Sequence, residues 1–221
     1  MQRRITIGFD VHGIKPKLNT ELPKWILDLE DLEYDERWKI LAEETEEHPE
    51  GRKDEYWELK DKYEEENSGV YFRNNVWWWR PLWNYVCLEC EDILNEEEMN
   101  GCCVNDGTLI NKEKATSIAK RLSEKLGDGS VLLYEKEFTT RLLQARTDNE
   151  EVDKETKALR KEVIKATGDK EIAPMNYPKK YKTKYKKIRD KENWDGHYPF
   201  KTENVEAFAK FCNESGGFEV W

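Results

Sequence analysis

Residues 77–83 read Trp-Trp-Trp-Arg-Pro-Leu-Trp, which puts four of the chain's nine tryptophans within seven positions. Successive side chains point to opposite faces of a strand and step around the axis of a helix, so Trp77, Trp78 and Trp79 cannot all enter one core. At least one must face a second surface, either a partner interface or a ligand pocket. Upstream the block continues as Tyr71, Phe72, Arg73, Asn74 and Asn75. Tryptophan faces beside Arg73 and Arg80 have the ingredients for a planar anionic ligand: stacking on indole, cation-π support and bidentate guanidinium contacts to phosphate. The expected ligand-binding set is Tyr71, Phe72, Arg73, Asn74, Asn75, Trp79, Arg80 and Trp83, joined by Asn105 and Asp106 of an Asn-Asp-Gly turn. The alternative is that the tryptophans are core and the asparagines sit in turns. Pro81 predicts a helix that starts at that residue, with Arg80 held extended before it.

Elsewhere the apolar spacing is mostly helical. Trp25, Leu29 and Leu32, then Tyr34, Trp38 and Leu41, then Tyr56, Leu59 and Tyr63 mark amphipathic helices with acidic outer faces, and the second and third are separated by a break at residues 48–51. Ala115, Ile118, Ala119, Leu122 and Leu126 form another stripe, closed by Gly127, Asp128 and Gly129. Tyr134, Phe138 and Leu142 predict a helix, and Val152, Leu159 and Val163 a separate, weaker one. Thr202 is placed to cap a last helix whose inner stripe is Val205, Phe208, Ala209 and Cys212 and which Gly216 ends. Ile5, Ile7, Phe9 and Val11 alternate as in a short strand, and residues 217–221 form a second. The expected fold is therefore mainly α, in the α+β class: a single helical domain over 1–221 with a short β-sheet formed by the two chain termini. Within it, 19–68 is an acidic helical insertion and 168–197 a basic loop or linker. With 221 residues, one core is the default.

The formal net charge is −10, which disfavours general nucleic-acid binding, because that affinity comes from Lys and Arg releasing counterions. The charge is uneven. Residues 28–66 hold eighteen acids against six bases, a balance of −12, whereas residues 170–191 hold nine bases against two acids, a balance of +7. The basic run from Lys179 to Lys191, with Tyr181 and Tyr185 interleaved, is expected to lie against the acidic helices of the same molecule, the alternative being that it follows a phosphate backbone. The start of the chain has no apolar leader and no stretch is long enough to span a membrane, so a cytoplasmic protein is expected, with its five cysteines reduced.

Cys87 and Cys90, followed by Cys102 and Cys103, raise zinc as the one candidate cofactor, although an adjacent second pair fits tetrahedral ligation poorly and inert packing is favoured. Asp10 and His12 share one side of the first strand and could serve a metal-dependent enzyme. Phosphate loops, dinucleotide fingerprints, zinc-protease and nucleophile-elbow motifs are all missing, which favours a binder over an enzyme.

Three blocks of the chain resemble an uncharacterised family of bacteriophage proteins: residues 8–13; residues 71–85 leading to Asn105, Asp106 and Gly107; and Tyr198, Pro199 and Phe200 leading through Glu203, Asn204 and Val205 to residues 215–218. The resemblance implies a phage accessory protein acting on host defence inside the host cell, and a histidine where this chain has Cys102 or Cys103. On that context the expected function is sequestration of a small anionic nucleotide-like ligand. The alternatives are an acidic inhibitor of a host protein and an enzyme that uses Asp10 and His12. A homo-oligomer stays open.

Overall fold

The computed structural model describes residues 8–45 and 47–221. Ile5 and Ile7 of the expected first strand lie outside the described residues. Along the chain the elements are β1 (Gly8–Gly13), α1 (Lys24–Glu30), α2 (Tyr34–Leu41), α3 (Lys53–Glu66), β2 (Tyr71–Asn75), α4 (Val76–Glu89), α5 (Glu96–Gly101), β3 (Thr108–Ile110), α6 (Lys112–Gly127), α7 (Ser130–Thr167), α8 (Lys179–Arg189), α9 (Thr202–Glu214) and β4 (Phe218–Val220). Short 3-10 turns cover Pro174–Asn176 and Trp194–His197.

The sheet is antiparallel with the order β2-β1-β4-β3. Strands from the two ends of the chain do pair, with Val11 opposite Val220. The sheet is not made by the termini alone, however, because β2 and β3 come from the interior of the sequence and flank that pair. Register sorts the residues into two faces. Phe9, Val11, Phe72, Val220, Phe218 and Ile110 line the inner face, whereas Asp10, His12, Tyr71, Arg73 and Glu219 line the outer one. On the inner face Phe9 stacks on Trp79, while Phe72 and Phe218 meet Phe208 and Phe211 of α9. The inward stripes expected for α6 and α9 are buried there.

Four local expectations are corrected. α4 begins at Val76 and not at Pro81, because the Asn75 side chain accepts hydrogen bonds from the amides of Trp77 and Trp78 and so starts the helix a turn and a half earlier. Arg80 is consequently helical, and Pro81 sits inside the helix with no amide to offer the carbonyl of exposed Trp77. The two helices expected over 134–166 are one helix of 38 residues, α7. Residues 168–197 are not a loop, since α8 packs on α7 through Tyr181 with Leu159, Val163 and Tyr177. Finally, Thr202 does not cap α9 with its own side chain: its amide and its hydroxyl both donate to Glu135 of α7, at 2.8 and 2.7 Å.

The charge extremes also fall differently from expectation. Lys184 and Lys191 pair with Glu162 and Glu155 of α7. Within the acidic unit, Arg37 and Lys60 both pair with Glu30. That unit has its own small core of Ile26, Leu29, Leu41 and Tyr56. Buried Asn67 ties it off by accepting from the amides of Asn19 and Thr20 and donating to the Tyr63 carbonyl.

Glu135 caps α9 from another helix, so it offers a stability test. Burial raises its pKa, but hydrogen bonds from Lys201 and Thr202 outweigh this and hold its carboxyl below the ordinary value. A depressed pKa contributes stability above the unfolded-state value near 4.3 and loses it as the pH falls through that range. In chemical denaturation, Glu135→Gln is expected to cost about 1 kcal/mol at pH 7 and progressively less below about pH 4.

Candidate functional site

The ten expected ligand residues do not form one pocket. Trp79 and Trp83 are fully buried, stacked 5.5 Å apart with their ring planes 9° from parallel. Their indole N–H groups donate to the carbonyls of Cys102 and Met99 at 2.8 and 2.9 Å. Both are core, and neither has a face left for a ligand. Phe72 packs on that core. Asn74 donates to Asn204 of α9, Asn75 caps α4, Asn105 donates to the Gly8 carbonyl and Asp106 accepts from Thr108. These four polar side chains tie elements together.

Tyr71 and Arg73 face the other way, across the outer sheet face. With Asp10, His12 and Trp57 they line a cleft of about 960 Å³ between the sheet and α3. The Tyr71 hydroxyl donates to Asp10, whose carboxylate also stands 3.8 Å from Arg73. Burial, followed by that hydrogen bond, pushes the Tyr71 hydroxyl well above its ordinary pKa. Charges of both signs line this cleft, Asp10, Glu30, Asp61 and Glu64 against Lys60 and Arg73, and both cations are paired, Lys60 with Glu30 and Arg73 with Asp10. Asp10 and His12 do share a side, as the alternation predicts. Among the described residues, though, no group of three or more His, Cys, Asp or Glu side chains is placed to hold a metal ion.

Of the expected residues, Arg80 alone opens into a pocket where positive charge stays uncompensated. This cavity, of about 350 Å³, is lined by Arg80, Pro81 and Asn84 of α4, Tyr134, Phe138, Arg141 and Leu142 of α7, and Asp195 and Tyr198. Arg80 donates to the Tyr198 hydroxyl at 2.9 Å and lies 5.9 Å from that ring, while Arg141 lies 5.3 Å from the Phe138 ring. Neither guanidinium has an ion-pair partner among the described residues. Two cations against the single carboxylate of Asp195 suit an anion, and a volume near 350 Å³ falls in the range of small-molecule sites.

The pocket has an aromatic rim. Trp77 is the tryptophan of the triplet that faces outward, 39% exposed, and its ring lies 5.1 Å from Tyr198 and 5.8 Å from His197. Trp194, 54% exposed, lies 5.6 Å from the same histidine. α7 holds this turn in place. Asn149 donates to the Asn193 carbonyl and accepts from its amide, both at 2.8 Å, and Arg146 donates to the Gly196 carbonyl. A Cβ at Gly196 would come 3.0 Å from the Asn149 amide nitrogen, so glycine allows the close approach. Glu192, almost fully buried, holds the His197 ring at 3.0 Å. The sequence flagged one outward tryptophan and Arg80, but gave no signal for Arg141, which lies 61 positions downstream on a helix face read only as core.

All five cysteines are free thiols, and Cys90, Cys102 and Cys212 are buried. Burial pushes the Cys87 and Cys90 thiols up to about 12 and holds those of Cys102 and Cys212 well above the ordinary thiol value. Compared with protein-family models, curated proteins and solved structures, the chain matches none. Among the described residues no helix is long and apolar enough to cross a membrane.

Two outcomes follow from this placement. Trp79→Ala or Trp83→Ala is expected to destabilise by about 3–5 kcal/mol, whereas Trp77→Ala is expected to cost about 1 kcal/mol or less, both read from urea denaturation midpoints. In a thiol titration of native protein at pH 8, Cys90, Cys102 and Cys212 are expected to react at least about tenfold more slowly than free cysteine, and all five thiols should react once the chain is unfolded.

Proposed function

We propose that this chain is a binding protein for a small anionic ligand with a planar ring, held in the pocket between α4 and α7, and that it acts by retaining that ligand. The observation that carries the reading is the pair of guanidinium groups, Arg80 and Arg141, set against aromatic rings in one cavity without an ion-pair partner. An unpaired charge at a concave, partly apolar surface is costly unless something neutralises it, and phosphate is the anion whose geometry a guanidinium matches best.

The remaining lining supports a nucleotide-type ligand. Phe138, Tyr134 and Tyr198 give the cavity aromatic walls against which a base can pack, the Asn84 amide can donate and accept at its edge, and the Asp195 carboxylate can accept from a ribose hydroxyl or an exocyclic amine. Guanidinium groups remain protonated at neutral pH, so they hold an anion and do not shuttle protons. That favours retention over turnover. The phage context implied by the sequence resemblance gives such retention a purpose, since withdrawing a nucleotide-like signal would silence a defence that depends on it.

Isothermal titration with adenosine 5′-monophosphate tests the reading. Arg80→Ala and Arg141→Ala should each weaken binding by about tenfold or more, the cost of a lost charge-assisted hydrogen bond, with the thermal midpoint unchanged. Binding that survives both substitutions, or no binding by the unaltered chain, would overturn it.

A further inference from the structure

Two large aromatic side chains, Trp77 and Trp194, lie outside the pocket on a surface that continues from its Tyr198 wall. Trp77 and Arg80 are three residues apart on α4 and so lie side by side on one helix face. Tyr198 touches both, with its ring 5.1 Å from Trp77 and its hydroxyl bonded to Arg80. Beyond Trp77, His197 and then Trp194 continue the same aromatic surface. From one end to the other the order is Trp194, His197, Trp77, Tyr198, Arg80, the cavity, and then Arg141 over Phe138. Arg80 therefore sits between two aromatic regions, one inside the cavity and one on its rim, and Arg141 faces it from the far wall.

Resting on the binding reading above, we infer that the ligand is a dinucleotide: one base enters the cavity beside Phe138, the phosphate linkage lies at Arg80 and Arg141, and the second base stacks on the rim formed by Trp77, His197 and Trp194. Three observations support this assignment. At about 350 Å³ the cavity is at the small end for a ligand site and leaves little room for a second planar group beside the first. Trp77 and Trp194 leave 39% and 54% of their surface in water, although indole rings are costly to expose and a stacked base would cover them. The rim is also fixed in advance, by the Asn149 clamp on Asn193 and the Glu192 bond to His197, so little ordering cost falls on binding. Stacking on indole tolerates any base, so the rim selects for a second ring and not for its identity. The chain's net charge of −10 opposes the long-range attraction that a longer strand would need.

The test compares adenosine 5′-monophosphate with the 5′-phosphorylated dinucleotide of adenosine and with a ten-residue oligoadenylate, each titrated calorimetrically into the full chain. The dinucleotide should bind roughly tenfold tighter than the mononucleotide, the contribution of one stacked base, and the oligomer no tighter than the dinucleotide. A double variant, Trp77→Ala with Trp194→Ala, should erase that surplus and leave mononucleotide affinity within about twofold. Trp77→Tyr with Trp194→Tyr should keep most of the surplus, which separates stacking from loss of folding. Equal affinity for mononucleotide and dinucleotide would overturn the dinucleotide assignment and leave the pocket reading standing. Affinity that keeps rising with strand length would replace it with single-strand binding, and failure of every probe to bind would remove both.

Discussion

The stacked indoles of Trp79 and Trp83 are the contact on which the rest of the molecule depends. They fill the space between the inner sheet face and α9, and their two N–H groups reach the carbonyls of Met99 and Cys102. A buried donor left without an acceptor costs about 1–3 kcal/mol. The segment from α5 to β3 is thus drawn onto α4 by polar demand as well as by apolar burial, and it carries β3 to the sheet edge beside β4. With Trp79 and Trp83 inward, the helix phase is set. Arg80 must then point away from the core, and Trp77 with it.

That phase explains why the sequence was only partly legible. Where one side of an element is buried throughout, as in α6 and α9, periodicity alone located the inner residues. It failed at Pro81, because the Asn75 cap and the tryptophans preceding proline outweighed proline's preference for a first turn. It also failed across α7, whose partners change along its length, from Phe200 near Tyr134 and Phe138 to Gly196 near Ala145 and then to α8 near Leu159. A stripe that serves successive neighbours drifts around the helix and reads as two weak helices. In α8 the inward residues Tyr181, Tyr185 and Ile188 have helical spacing and continue from Tyr177 just before the helix, but lysines crowd between them and the composition looked like a linker. The site was harder to read still. Tryptophan clustering pointed to a second surface, but which indoles reach it depends on a helix phase that tertiary packing decides.

Charge provides a further lesson in scale. A chain with a net charge of −10 still holds a pocket in which two guanidinium groups outnumber one carboxylate. At physiological ionic strength fields between exposed charges fade within about 8 Å. A ligand at that pocket therefore feels its lining and not the chain total.

α7 has a geometric consequence for how this protein can change over evolutionary time. Its 38 residues span about 57 Å and connect the pocket wall at Phe138 and Arg141 to the α8 packing at Leu159 and Val163 without a break. In a continuous helix one inserted or deleted residue turns everything beyond it by roughly 100°, whereas seven residues nearly restore the original heading. Between pocket and α8, length variation is therefore admissible only in near-heptad steps. Single-residue insertions or deletions in relatives that keep both ends should collect in the turns at residues 127–129 and 168–178, where no helical phase has to be preserved.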